Sequence, residues 1–176
     1  MLDGKSDIDC APLPDVKSWA VAWTKVRCEK VLSDYLTARE VPHFLPLLSH
    51  RRVYGKRIRH SHLPLFSGYV FFDSDSISNS DIYDSRKVAQ VLVPDEQQTL
   101  KSELSNLALA LQHDDTLRET RFGAPGRPVY VARGPLKGVY GEFVRYGTNS
   151  RLIVKVGFIS KAAELAIDEA FIEPVL

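Results

Sequence analysis

Residues 50–62 read HRRVYGKRIRHSH, with five Arg or Lys, three His and no acid. Cations without a compensating carboxylate suit a polyphosphate backbone, which Lys and Arg bind by displacing its counterions. A solvated face is the plainer reading of the same run. Arg51, Arg52, Lys56, Arg57 and Arg59 are its candidate phosphate contacts. His60 and His62 stand two apart with no cysteine or third histidine nearby, so they read as part of a basic hairpin rather than as zinc ligands. A second group is aromatic: Trp19, Trp23, Phe44, Phe66, Tyr69, Phe71 and Phe72. Adjacent strand residues point to opposite faces, so Phe71 and Phe72 cannot both enter one side of a sheet. Either both faces are covered, or one carries an apolar patch for a partner.

Catalytic patterns are missing. There is no G-x-S-x-G, P-loop or G-x-G-x-x-G run. Gly134, Gly138 and Gly141 have the wrong spacing for a phosphate cradle and suit tight turns instead. Asp114-Asp115 falls in a polar stretch, where a carboxylate pair is solvated rather than catalytic. The sequence implies no cofactor, no metal and no enzyme.

The elements that must position these groups follow from periodicity. Trp19–Trp23 reads as a strand. Cys28, Val31, Leu32, Tyr35 and Leu36 share one face of a helix over about 27–40, with Cys28 as a small core residue. His43–Leu48 is extended and interrupted by proline, and Gly55 marks the tip of the basic hairpin. Gly68–Phe72 and Val88–Val93 read as strands, with a polar, turn-like stretch over 73–81. Asp95 and Gln98 form a plausible capping pair for a helix with Leu100, Leu104, Leu107 and Leu111 along one stripe, ending near His113. Residues 1–17 read as a loose tail, 18–113 as one α+β domain and 114–126 as a linker. Five short strands, Val129–Arg133, Val139–Tyr146, Leu152–Phe158, Glu164–Ile167 and Ile172–Val175, make a small barrel of 127–176.

The chain has 176 residues, 44% hydrophobic and 26% charged, with 23 Lys plus Arg against 22 Asp plus Glu. A net charge of +1 excludes a wholly basic, histone-like binder, so any nucleic-acid contact is local. It also argues against the rival reading, a stand-alone RNA-binding protein of the ribosome, since such proteins are usually strongly basic. No stretch approaches the roughly 20 apolar residues that span a bilayer. The first residues carry four Asp and no apolar core, unlike a signal peptide. Cys10 and Cys28 make no disulfide framework, and a reduced cytoplasm is the expected location.

Trp19-Ala20-Val21-Ala22-Trp23-Thr24-Lys25, then Glu29-Lys30, then Pro64-Leu65-Phe66-Ser67-Gly68-Tyr69-Val70-Phe71 resemble the N-terminal domain of the NusG family of transcription elongation factors. Gly126-Arg127-Pro128-Val129-Tyr130-Val131 and Gly134-Pro135-Leu136-Lys137-Gly138-Val139-Tyr140-Gly141 are similar to that family's KOW motif. The resemblance implies an N-terminal α/β sandwich, an antiparallel sheet with flanking helices, followed by a five-stranded SH3-like barrel. It implies a monomer without catalysis of its own that binds the clamp helices of RNA polymerase and modulates pausing and termination. The matching apolar positions are Trp23, Phe66, Tyr69 and Phe71. A polar loop toward the opposite polymerase lobe matches Ser78, Asn79, Ser80 and Asp81. Non-template DNA or nascent RNA would pass Lys25, Arg86 and the basic hairpin. In the barrel, Leu136, Val139, Phe158 and Ile159 match positions that meet a small-subunit ribosomal protein or the Rho terminator. Ser67 replaces a proline usual in the family. Leu136 and Val139 stand where housekeeping members carry aromatics. The polar loop and long helix resemble specialised, RfaH-like paralogues that act as antiterminators. Some of these refold the barrel as helices, but its strands here are rich in Val, Ile, Tyr and Phe and favour a β form.

Overall fold

In the computed structural model the described residues are 12–113, 116–123 and 125–175, with Arg51 described by its backbone alone. The readings of Cys10 and of Asp114-Asp115 lie outside them.

Strands β1 (Trp19–Thr24), β2 (His43–Phe44), β5 (Tyr69–Asp73) and β6 (Val88–Leu92) form one sheet in the order β2-β5-β1-β6. Each pairing is antiparallel. The period of two sorts its side chains. Trp19, Val21 and Phe71 enter one core, with Leu100, Leu104, Leu107 and Leu111 of helix α3 (Gln97–His113). Ala20, Ala22, Val70 and Phe72 enter another, with Leu32 and Leu36 of helix α1 (Glu29–Thr37) and Ile82 of helix α2 (Asn79–Asp84). Phe71 and Phe72 are thus both buried, on opposite faces. Helices cover both sides, as the sandwich reading requires.

Four local readings change. Helix α1 is shorter than its apolar pattern: Val31 is exposed and Cys28 only half-buried at the N-cap. The turn-like stretch ends in α2, whose first residue follows Ser78. The start of α3 is tied by Gln97 rather than by an Asp95–Gln98 cap. The Gln97 Oε1 accepts the Trp19 N–H at 2.7 Å and its Nε2 donates to the Trp19 carbonyl at 2.9 Å. One amide therefore locks α3 to the first residue of β1. The expected tail is also partly anchored, because Val16 is buried in the α3 core and Asp15 pairs with Lys101 at 2.9 Å.

Between β2 and β5 the chain forms a separate hairpin of β3 (Leu47–Tyr54) and β4 (Arg57–Pro64). Its loop is Gly55-Lys56, with Gly55 at φ +59°. A two-residue hairpin loop favours glycine there because its twist matches that of the strands.

The C-terminal half is β-structured, as expected. Strands β7 (Arg118–Thr120), β8 (Arg127–Val131), β9 (Tyr140–Tyr146), β10 (Asn149–Val156), β11 (Lys161–Ala166) and β12 (Ile172–Pro174) form one six-stranded sheet. Their order is β12-β8-β9-β10-β11-β7. The sixth strand, β7, comes from the stretch expected to be a linker. Leu117 is buried there, and Glu164 accepts from Arg118 at 2.6 Å and from the Thr120 hydroxyl at 3.1 Å. Its few apolar residues gave no period, yet one anchor and one strand suffice.

Helix α3 joins the two halves. Its leucine stripe lies in a core shared with both sheets, and it contacts β1 of the first and β10 of the second. Asn106 donates to the Tyr140 carbonyl and its Oδ1 accepts the Tyr140 N–H at 2.6 Å. Glu103 accepts the Gly157 N–H at 3.0 Å. Ala110, one turn beyond Asn106, is fully buried. No helix among the described residues is long and apolar enough to cross a membrane.

Candidate functional site

Trp23 and Tyr69 are register partners at one end of the first sheet. They lie on the face whose inner residues, Val21 and Phe71, are covered by the α3 core. Tyr69 packs partly against that core, whereas Trp23 is 48% exposed. A directly opposed aromatic pair on one sheet face is in mutual contact range. Two adjacent rings with open surface are a natural anchor for a partner, since aromatics supply large contact area at small entropy cost.

The other two expected patch residues do not reach the surface. Phe66 and Phe71 are fully buried. Phe71 lies 6.3 Å from the Phe44 ring, centroid to centroid. Phe66 belongs to the α3 core, where burying a large apolar ring outweighs presenting it to water. The apolar surface is therefore the Trp23–Tyr69 pair.

Cations stand beside that pair. Lys25 is exposed two residues beyond Trp23, and its N–H donates to the Lys87 carbonyl at 2.8 Å. Arg86 is exposed with φ 59°, a left-handed backbone uncommon outside glycine. It follows the Ser85 C-cap of α2, and its N–H bonds the Tyr83 carbonyl at 2.9 Å. Lys25, Arg86 and Lys87 thus share one edge. Lys87 follows Arg86 in the sequence but was not a candidate there; its backbone bond to Lys25 sets it on this edge.

In the hairpin, the register pairs Arg52 with Arg59, Tyr54 with Arg57 and Arg51 with His60. Directly opposed residues of an antiparallel pair share a face, so Arg52, Tyr54, Arg57 and Arg59 line one side. Val53 and Ile58 form the other side near the tip and are exposed. Arg52, Lys56, Arg57 and Arg59 form no salt bridge among the described residues. Like charges directly opposed are unfavourable, and no acid of the hairpin relieves them. The arrangement is suited to an anionic partner.

The Ser78–Asp81 group is exposed, but it is a helix start rather than a loop. The Ser78 hydroxyl accepts the Asp81 N–H at 3.1 Å and donates to the Asp81 carboxylate at 2.6 Å. It also lies 2.9 Å from the Ser80 hydroxyl. Ser78 is thus committed to capping α2, which leaves Asn79 as the outward amide.

The C-terminal positions divide differently from expectation. Leu136, Val139 and Ile159 are buried in the core that contains the α3 leucines. Phe158 is 41% exposed. Leu109 of α3 approaches Gly138 within side-chain contact, and Glu103 holds Gly157 just before Phe158. Apolar side chains at these turns are hidden because they join one core with the C-terminal sheet and the α3 leucines. Among the described residues no cluster of three or more His, Cys, Asp or Glu could hold a metal.

Rings, unpaired cations and an outward amide can bind; they do not set up bond making. The class defined is a binding factor built on a helix-covered sheet. The family model of NusG, described as transcription termination factor nusG, matches residues 17–106, which is more than half of the chain. The chain belongs to the NusG family, whose members are non-enzymatic, transcription-associated factors. A search of curated proteins found no match.

Proposed function

We propose that the protein binds RNA polymerase through the Trp23–Tyr69 surface and modulates pausing and termination as an elongation and antitermination factor. NusG-family factors generally bind RNA polymerase. The observation that carries the reading is the half-exposed Trp23 paired with Tyr69 in the matched segment. Around it, Lys25, Arg86 and the cationic face of the hairpin are placed to follow non-template DNA or nascent RNA. Asn79 and Ser80 meet the second polymerase lobe. The C-terminal sheet is an SH3-like KOW barrel, and Leu136, Val139, Phe158 and Ile159 recruit a ribosomal protein or Rho. Because the first, second and fourth of these are buried in the shared core, such a partner reaches them only if that core opens. Operon-specific, RfaH-like action fits a chain whose C-terminal apolar positions are buried.

Capture of purified core RNA polymerase by the immobilised full chain tests the reading. Capture is expected with the wild type and is expected to fall by about tenfold with Trp23→Ala, a loss of about 1.4 kcal/mol. No capture by the wild type would falsify it.

A further inference from the structure

Glu29 opens α1, yet it is only 4% exposed and forms no salt bridge among the described residues. A carboxylate taken from water is costly unless hydrogen bonds replace its hydration. Its partners belong to the turn between β4 and β5. The Glu29 Oε1 accepts the Gly68 N–H at 2.7 Å and the Ser67 hydroxyl at 3.3 Å. The Gly68 carbonyl is held as well, accepting the Thr24 N–H at 2.8 Å. Both polar backbone groups of Gly68 are therefore fixed, one by α1 and one by β1.

Gly68 has φ +89°, and a Cβ placed on it would stand 3.5 Å from Trp23 Cδ1. The indole therefore lies against bare glycine backbone. Tyr69, the next residue, is the register partner of the same Trp23. The turn that Glu29 holds is thus both the seat of one ring and the start of the strand that carries the other.

We infer that Glu29 is a positioning residue for the Trp23–Tyr69 surface: its buried carboxylate fixes the Ser67-Gly68 turn, which sets the two rings side by side. Being buried, Glu29 touches no partner and acts through Gly68. Its place in the first turn of α1 also favours a negative charge there. The functional consequence rests on the reading that this surface meets polymerase.

The test uses the full chain and three readouts: the Trp23 indole and Gly68 amide resonances, the melting temperature and affinity for core RNA polymerase. Glu29→Ala is expected to shift both resonances and to weaken binding about tenfold, the loss of one charged hydrogen bond's worth of order. Glu29→Gln keeps an oxygen that can accept the Gly68 N–H. It is expected to return both resonances toward wild type and the affinity to within about threefold. Should Glu29→Ala not fold, Glu29→Asp, one methylene too short to reach Gly68, takes its place under the same outcomes. A fall in melting temperature with both resonances unmoved overturns the inference, because that is what a merely structural carboxylate does. So does a Gln variant that behaves like the Ala variant. If Tyr69→Ala weakens polymerase binding while Glu29→Ala leaves resonances and affinity unchanged, the inference fails alone. If Glu29→Ala moves the resonances but neither it nor Tyr69→Ala alters polymerase affinity, Glu29 positions the rings and the polymerase reading fails.

Discussion

Arg86 occupies a backbone conformation that glycine adopts freely and arginine does not. A left-handed arginine at a helix end is a local cost, and such costs gather where a side chain serves something other than stability. Arg86→Gly is expected to raise the stability of the domain by about 1 kcal/mol in denaturant melts. The same variant is expected to lower the log–log salt slope of DNA binding by about 0.7–0.9, the share of one phosphate contact. Higher stability with an unchanged slope would mean that Arg86 faces only solvent. The aromatics teach a complementary lesson. Phe66→Ala or Phe71→Ala is expected to cost about 3–5 kcal/mol of stability, the range for emptying a core aromatic site. Affinity for polymerase per folded molecule should not change. Sequence separates Phe71 from Phe72 by alternation alone. It does not separate Phe71 from Tyr69, which share a face and differ only in how far the α3 core extends over that face.

Elements were legible in proportion to their apolar period. Strand β1 and the leucine stripe of α3 stand as read, because each repeats one side-chain class at one spacing. Helix α2 was not legible: it has six residues and buries only Ile82, so its one real signal was the Ser78 cap. Ser78→Ala is expected to cost about 1 kcal/mol in melting experiments, through the lost cap. Asn79→Ala should leave stability and polymerase association nearly intact while pause suppression falls. The second face of α3 was hidden for a different reason, since Glu103 and Asn106 look like solvated residues in the sequence. Burial raises the Glu103 carboxyl above its ordinary value of 4.5, partly opposed by the Gly157 N–H. The packed arrangement therefore holds that proton more readily than a separated one. Its contribution to packing is complete below the ordinary value and is lost as pH rises through the raised one. Glu103→Gln, which cannot ionise, should flatten the pH dependence of Gly157 amide-exchange protection across that window. In the hairpin, replacing Arg51, Arg52, Lys56, Arg57 and Arg59 by Gln should reduce the salt slope of nucleic-acid binding by roughly 0.7–0.9 for each phosphate no longer neutralised. An unchanged slope would leave the hairpin a solvated face.

On the scale of the whole molecule, one helix serves two sheets. The sequence pointed to two bodies and a linker because the stretch after α3 is polar and aperiodic. It held no signal that Leu136, Val139 and Ile159 would be buried in one core with the α3 leucines, since they are apolar whether they face a partner or a core. The packing has unequal consequences for the proposed contacts. The C-terminal apolar positions are closed, while Trp23 stays half exposed in the intact chain. Polymerase association should therefore need no rearrangement of the core, whereas recruitment through Leu136, Val139 and Ile159 should need the core to open. The measurement that bears most directly on this account is the polymerase affinity of Tyr69→Ala, taken together with its melting temperature. A central aromatic contact is expected to be worth about 2 kcal/mol, a weakening of roughly 30-fold, with melting little changed. A sharp drop in melting temperature with unaltered affinity per folded molecule would contradict it, and would place Tyr69 in the core rather than at the interface.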